Sequence, residues 1–309
     1  MSKKVQHKRR NGKDPDEKFR SSTLLKILLF LGPFMVGIVL FTLYPFINAF
    51  VMSFKEGYSI LTDAYKGIGL ANYEKVLSDP HFKTAFINTI RYVVIVIPIT
   101  MALSIVIAVL LNDTKRFKAL LQTSYFLPLV TSTAAISLVF KFIFQDSYGL
   151  VNQILSSFGM STIKFLGSKY WSKIVLYIFA VWNNMPFTII LLLAGLQNID
   201  PQYYTAAKVD GAKPLDIFFN ITLPLLAPTI ALVLIINSIS AFKVFDLVYQ
   251  LIGETNNARA LGHYTLIYYV YAQMQNFKYG YAAAAAIVLF AIIAVFTAIQ
   301  NFIQRKWNY

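Results

Sequence analysis

Long apolar stretches without charge alternate with short polar ones along the chain. Runs free of Asp, Glu, Lys and Arg extend over Ile27–Phe50, Ala119–Phe140, Ile174–Ile199, Ile217–Phe242 and Tyr279–Gln304, and a sixth, Tyr92–Leu111, follows Arg91. A bilayer core about 30 Å thick takes about 20 helical residues to cross, so every run is long enough. Gln197-Asn198-Ile199-Asp200-Pro201 reads as a helix exit into water, which trims the neighbouring spans. The pattern therefore predicts an all-α membrane protein with spans at 27–50, 88–111, 119–142, 174–195, 224–248 and 281–303. The organisation expected is a basic tail, 1–26, followed by a transmembrane region, 27–309.

The first run is not expected to be a cleaved signal. It follows a basic tail, exceeds the usual 7 to 15 apolar residues and carries Pro33 and Pro45. Between spans one and two, residues 55–84 contain Tyr58, Tyr65 and Tyr73 with Gly57, Gly67 and Gly69, which suits a folded cap or a short interfacial helix. No segment outside the spans is long enough to fold alone.

Charge orients the spans. One side of the alternating topology holds sixteen Lys and Arg, nine of them in the tail through Lys26, and the other side holds nine. The positive-inside rule then places both termini in the cytoplasm. The tail's Lys3-Lys4 and Lys8-Arg9-Arg10 read as topogenic charge rather than as a nucleic-acid arm. Arg91 and Lys141, at predicted outer ends of spans, are expected to snorkel to the interface. His81 and His263 fall in outer loops and are expected to face water.

Composition agrees and excludes several chemistries. Of 309 residues, 57% are hydrophobic and 14% charged, against roughly 25% charged in a soluble domain. Aromatic residues at 16% argue against a disordered chain despite the net charge of +14. Without Cys, and with three scattered His, disulfides, thiolate metal sites and imidazole cages are all excluded. No Gly is followed five residues later by Gly-Lys, so a phosphate-cradling loop of the P-loop type is absent. Any ATP used must be bound by another chain.

The segment 199–222 is the most informative. Pro201 suits a first helical position, Gly211 a left-handed helix stop, and Pro214 the start of a second helix. Helix, turn, helix is the expectation. Ala206, Ala207, Gly211 and Ala212 make one side of this elbow small, either for close docking or simply through helix propensity.

Thr205-Ala206-Ala207-x-x-Asp210-Gly211-Ala212, with Phe218, Ile221, Leu223 and Pro224 at fixed offsets, closely resembles the EAA loop of importer-type ABC transporter permeases, specifically the carbohydrate-uptake permeases of MalF and UgpA type. The likeness extends through Leu43-Tyr44-Pro45, Ser53-Phe54, Leu127-Pro128, Tyr148-Gly149-Leu150-Val151-Asn152 and Gly280-x-Ala282-Ala283-Ala284. The resemblance implies the type I importer permease fold in a bacterial cytoplasmic membrane. It implies a coupling helix at Thr205, Ala206, Ala207, Asp210, Gly211 and Ala212 that docks on an ATPase. Thr205 stands where the family has Glu, which would turn a charge-assisted contact into a neutral one.

Polar residues at membrane depth face a cavity or another helix. Trp182, Asn183, Asn184 and Phe187 flank Pro186 in span four, and Asn237, Ser238 and Ser240 sit in span five, followed by Lys243 and Asp246 at a spacing that allows pairing. Amides and hydroxyls beside aromatic faces suit a sugar, yet the same residues can hydrogen-bond between helices. The resemblance favours a substrate pathway through Trp182, Asn183, Asn184, Phe187, Asn237 and Ser240. Ala241 would occupy another such position without a polar atom. The Ala282–Ala286 run is expected to let span six pack closely.

The resulting expectation is a non-enzymatic permease subunit of an ATP-driven sugar importer. Its implied partners are a second six-span permease, a cytoplasmic ABC ATPase dimer using ATP with Mg, and an extracytoplasmic solute-binding protein; the chain itself would bind no cofactor and no nucleic acid. The rivals are an ion-coupled secondary carrier, for which buried mid-span carboxylates are lacking, an ABC importer for a non-carbohydrate solute, and a membrane scaffold.

Overall fold

The computed structural model describes residues 15–60, 62–113, 123 and 127–307. It is mostly helical and divides into two compact units, Met1–Met52 and Ser53–Tyr309.

In the first unit, helix α1 (Pro15–Ile38) passes through a π turn, Val39–Leu43, into α2 (Tyr44–Phe54). The wide turn has a local cause. Pro45 offers no N–H and its ring would strike the carbonyl four residues back, so the Tyr44 amide reaches five residues back to Val39.

In the second unit, a small antiparallel pair, β1 (Lys55–Glu56) with β2 (Gly67–Ile68), precedes α3 (Ala71–Ser78). The buried Asn72 amide ties them together, donating to the carbonyls of Ser53 at 3.0 Å and Lys55 at 2.9 Å. The folded cap expected from the Gly and Tyr spacing is thus a hairpin and one helix.

The long elements follow: α4 (Pro80–Asp113), α5 (Thr133–Ile143), α6 (Leu150–Ser157), α7 (Trp171–Gln197), α8 (Pro201–Val209), α9 (Pro214–Ile217), α10 (Leu223–Phe242), α11 (Asp246–Ile252), α12 (Thr255–Leu261), α13 (Leu266–Gln275) and α14 (Tyr279–Trp307). α4 packs along α7, α10 lies against both, and α14 packs on α13 and α10. One apolar core gathers Tyr92, Phe179, Phe242, Tyr264, Tyr268 and Tyr269 with the small residues Ala282, Ala284 and Ala285. Full burial of these alanines is the close packing expected of span six. A second core joins Met101, Ile189, Leu192, Leu226 and Val233. At Gly195 α7 and α10 approach closely: a Cβ there would lie 2.6 Å from Thr229 Oγ1 and 2.8 Å from Leu226 Cδ1.

Five helical stretches among the described residues are long and apolar enough to cross a membrane: Lys26–Phe54, Pro80–Asn112, Trp171–Gln197, Pro214–Phe242 and Tyr279–Arg305. The expected third span, 119–142, falls partly on residues outside the described ones. Its described part comprises a helical stretch at 127–130 and the shorter apolar helix α5, separated by a break at Thr131 and Ser132. The fifth helix differs from the expected 224–248. It begins at Pro214 and ends at Phe242, where the chain turns through Lys243, Val244 and Phe245. Turning there lets α11 bury Leu247, Val248 and Leu251 and pack on α5, which a continued straight helix could not do.

Candidate functional site

The turn after α10 opens a cavity of about 180 Å³ within the second unit. Asn183 and Asn184 of α7, Ser240 and Ala241 of α10, Tyr92 of α4 and Thr133 of α5 line it, and Lys243 to Leu247 complete the wall. Pro186 sits in α7 just beyond the two asparagines. Its missing N–H removes one rung of the helix ladder at this level. The cavity therefore offers two amides, hydroxyls, two aromatic rings, a cation and a carboxylate, a set able to hold a polyhydroxylated solute through many weak hydrogen bonds.

Three of the six residues expected to form a pathway are brought together here: Asn183, Asn184 and Ser240. The other three lie elsewhere. Asn237 is buried and donates to Thr188 Oγ1 at 3.0 Å, which is a bond between α10 and α7. Its neighbour Ser238 is likewise engaged, accepting from Gln300 of α14 at 2.9 Å. These polar groups join helices, where an unpaired amide would be costly. Trp182 packs its ring 5.5 Å from Phe140, and Phe187, like Trp182, is exposed on the surface of the isolated chain.

Lys243 and Asp246 do not pair, because the helix breaks between them; the ion pair among the described residues is Lys55 with Asp63. Sequence spacing missed Tyr92 and Thr133 altogether. Tyr92 opens an apolar run and Thr133 ends the Thr131-Ser132-Thr133 triplet, and only the tertiary structure places them beside one space.

Outside the spans, His263 departs from its expected exposure. It is 3% exposed, and its Nε2 lies 2.8 Å from Ser172 Oγ in a hydrogen bond. Burial, with a contribution from the Lys173 charge, pushes its pKa down to about 4, so the ring is neutral at pH 7. The reason is the Gly262 turn, which folds the segment inward after α12. His81 is exposed, as expected.

The elbow folds as its prolines and glycine dictate. Asp200 caps α8, its carboxylate accepting the Gln202 amide at 2.9 Å, with Pro201 next in line. At the other end Gly211 takes φ +73°, the Ala212 amide bonds to Ala207 O at 3.0 Å, and the Gly211 amide bonds to Lys208 O at 3.2 Å. That pair of bonds is a Schellman stop, which requires the left-handed residue that Gly supplies. Pro214 then opens α9, and a second π turn, Phe218–Thr222, leads into α10. Its cause repeats that of the first, since Pro224 follows two residues later.

Thr205, Ala206, Asp210 and Gly211 are exposed, whereas Ala207 is buried and Ala212 half-buried. The small side of the elbow is thus divided between an outward and an inward face. The Thr205 hydroxyl donates to Pro201 O at 3.1 Å within its own helix. Tyr203, Val209, Leu215 and Phe219 present apolar surface outward.

Residues 95–309 match the family described as the binding-protein-dependent transport system inner membrane component. The chain belongs to that family. It is therefore a membrane transport component and not itself an enzyme. Among relatives, it is 34% identical over 275 residues to the arabinooligosaccharides transport system permease protein AraP of Bacillus subtilis, covering 88% of this chain and 86% of the relative. It is 32% identical to the lactose transport system permease protein LacF of Rhizobium radiobacter, covering 90% of this chain and 93% of that one. The solved structure of a bacterial alginate ABC transporter, in complex with an alginate pentasaccharide-bound periplasmic protein, contains a chain of the same fold, with a TM-score of 0.81 at 24% identity, covering 95% of this chain and 98% of that one. As a member of this permease family, the chain carries its family match from within α4 through the elbow to the last helix.

Proposed function

We propose that this chain is one permease of an ATP-driven sugar importer, completing a translocation pathway with a second permease and driven by ATPases that dock on the elbow. The observation that carries the reading is the unbroken helical run Pro214–Phe242, which starts in the elbow and ends with Ser240 and Ala241 in the cavity wall. Its 29 residues of helical rise place the two ends about 40 Å apart. A push on the elbow reaches the cavity along one continuous helical run, and the asparagines of α7 ride with it because α7 and α10 interlock at Gly195 and at Asn237–Thr188.

In this reading both termini and the elbow lie in the cytoplasm, six spans cross the membrane, and a solute-binding protein delivers sugar at the other face. Exposed Tyr203, Val209, Leu215 and Phe219 support a docked partner at the elbow, since apolar side chains this prominent gain by being covered. Thr205 supplies a neutral contact there, its proton already given to Pro201 O. The sugar names carried by the relatives favour an oligosaccharide or disaccharide, and the cavity's amides and hydroxyls suit its ring hydroxyls.

The experiment is purification of the tagged chain from a gentle detergent extract, mass spectrometry of what remains bound, and reconstitution of the complex in liposomes. ATP-dependent uptake of an arabino-oligosaccharide or lactose, with a second permease and an ATPase bound in comparable amounts, is the expected result. Uptake that follows an ion gradient and ignores ATP would overturn it.

A further inference from the structure

We propose that Arg91, Lys169 and Lys173 form a site for the phosphodiester of an anionic phospholipid, at the end of the bundle away from the elbow. Arg91 stands on α4, Lys173 is the third residue of α7, and Lys169 lies two residues before that helix. Both lysines fold over one point: a Cβ on Gly262 would lie 3.0 Å from Lys173 Nζ and 3.3 Å from Lys169 Cε. The charges of Arg91 and Lys169 both act on the Lys173 ammonium. Three cations are thus held together from two places in the sequence, α4 and the start of α7.

Among the described residues no carboxylate forms an ion pair with them, and the nearby Asp146 carboxylate is taken up by the Leu166 and Gly167 amides. The only ion pair among the described residues is Lys55–Asp63, in the hairpin. Their convergence is enforced by the fold, because His263 is hydrogen bonded to Ser172 and the Gly262 turn is thereby fixed against the start of α7. Holding like charges together without a partner is unfavourable, and an oxyanion accepting hydrogen bonds from all three removes that cost.

Surrounding aromatic residues decide the kind of oxyanion. Tyr170 is exposed beside Trp171, their rings 5.4 Å apart, and Tyr92 and Tyr177 pair at 6.2 Å one turn further along. Beyond them α7 carries no charged residue as far as Gln197. Tyr and Trp at the head of an apolar helix mark the headgroup layer of a bilayer, and Lys and Arg at that depth reach lipid phosphates.

The test uses the full chain with its co-purifying subunits, detergent-exchanged with equimolar phosphatidylglycerol and phosphatidylcholine, and counts retained lipids by native mass spectrometry. The wild type should retain phosphatidylglycerol in preference, and Lys173→Gln should cut that preference about five-fold. Arg91→Gln/Lys169→Gln/Lys173→Gln should abolish it. Lys169→Arg/Lys173→Arg should preserve it, which separates lost charge from lost folding, and Lys141→Gln should leave it unchanged. Equal retention of the two lipids by the wild type, or an undiminished preference in the triple variant, would overturn the proposal. So would loss of the preference in millimolar inorganic phosphate, which would make the site one for free anions. A zero-length carbodiimide cross-link from Lys173 to a carboxylate of a bound subunit would also overturn it, by assigning the site to protein.

Discussion

Thr89 Oγ1 accepts the Leu266 amide at 2.9 Å, across 177 positions of sequence. Both residues are fully buried, and Thr89 passes its own proton to Ala85 O at 2.9 Å. Asn88 beside it donates to Tyr264 O at 3.1 Å, so α4 holds the start of α13 by two consecutive residues. Thr89→Val keeps the shape and removes the acceptor, leaving a buried N–H unpaired. A loss of about 1–3 kcal/mol is expected, read as a lower unfolding midpoint in detergent, with Thr89→Ser close to wild type.

Gly195 makes the contact between α7 and α10 possible. Ala would gain about 1 kcal/mol in helix propensity, but its Cβ would meet Thr229 and Leu226 well inside contact distance. Overpacking costs about 1–3 kcal/mol and wins, so Gly195→Ala should destabilise. Adding Thr229→Ala should recover part of the loss; strict additivity in that double-variant cycle would refute the contact.

Burial of His263 makes stability depend on pH. Its folded value, about 4, lies below the unfolded value near 6.5, so the unfolded chain takes up the proton first. Stability is complete above about pH 6.5 and falls as pH drops towards 4, by on the order of 3 kcal/mol at the limit. His263→Gln should flatten this part of the pH profile in thermal melts. An unchanged slope would place the titration elsewhere.

Asn184 and Asn237 should separate in their effects. Asn184 faces the cavity, so Asn184→Leu should shift the concentration dependence of uptake while leaving the melting midpoint within about 0.5 kcal/mol of wild type. Asn237 donates to Thr188, so Asn237→Leu should lower stability by about 1–2 kcal/mol with a smaller effect on substrate dependence. The reverse pattern would exchange their assignments.

Gly211 holds φ +73° and gives its amide to Lys208 O, and Pro can satisfy neither condition. Gly211→Pro should reduce ATP-driven uptake to background while the chain still inserts in the membrane. Uptake at the normal rate would show that the elbow is not the coupling element.

How far the sequence could be read differs from element to element. The elbow was legible because Pro201, Gly211 and Pro214 act on the backbone next to them, and local backbone chemistry needs no distant partner. The end of α10 was not legible: 224–248 is nearly all apolar, and the stop at Phe242 reflects what α11 gains by packing on α5. Both π turns were missed, although the proline that follows each was in plain sight.

The sequence by itself determined that the chain is helical, apolar and rich in membrane-length runs, because period and composition are local properties. It also determined the elbow and the family likeness. Only the tertiary structure decided which polar residues line the cavity, that Asn237 joins helices, and that His263 is buried. Those outcomes depend on which helix faces which. A side chain's environment is set by neighbours far along the chain, and for Asn183 and Asn237, alike in type and depth, that difference of neighbours is the whole distinction.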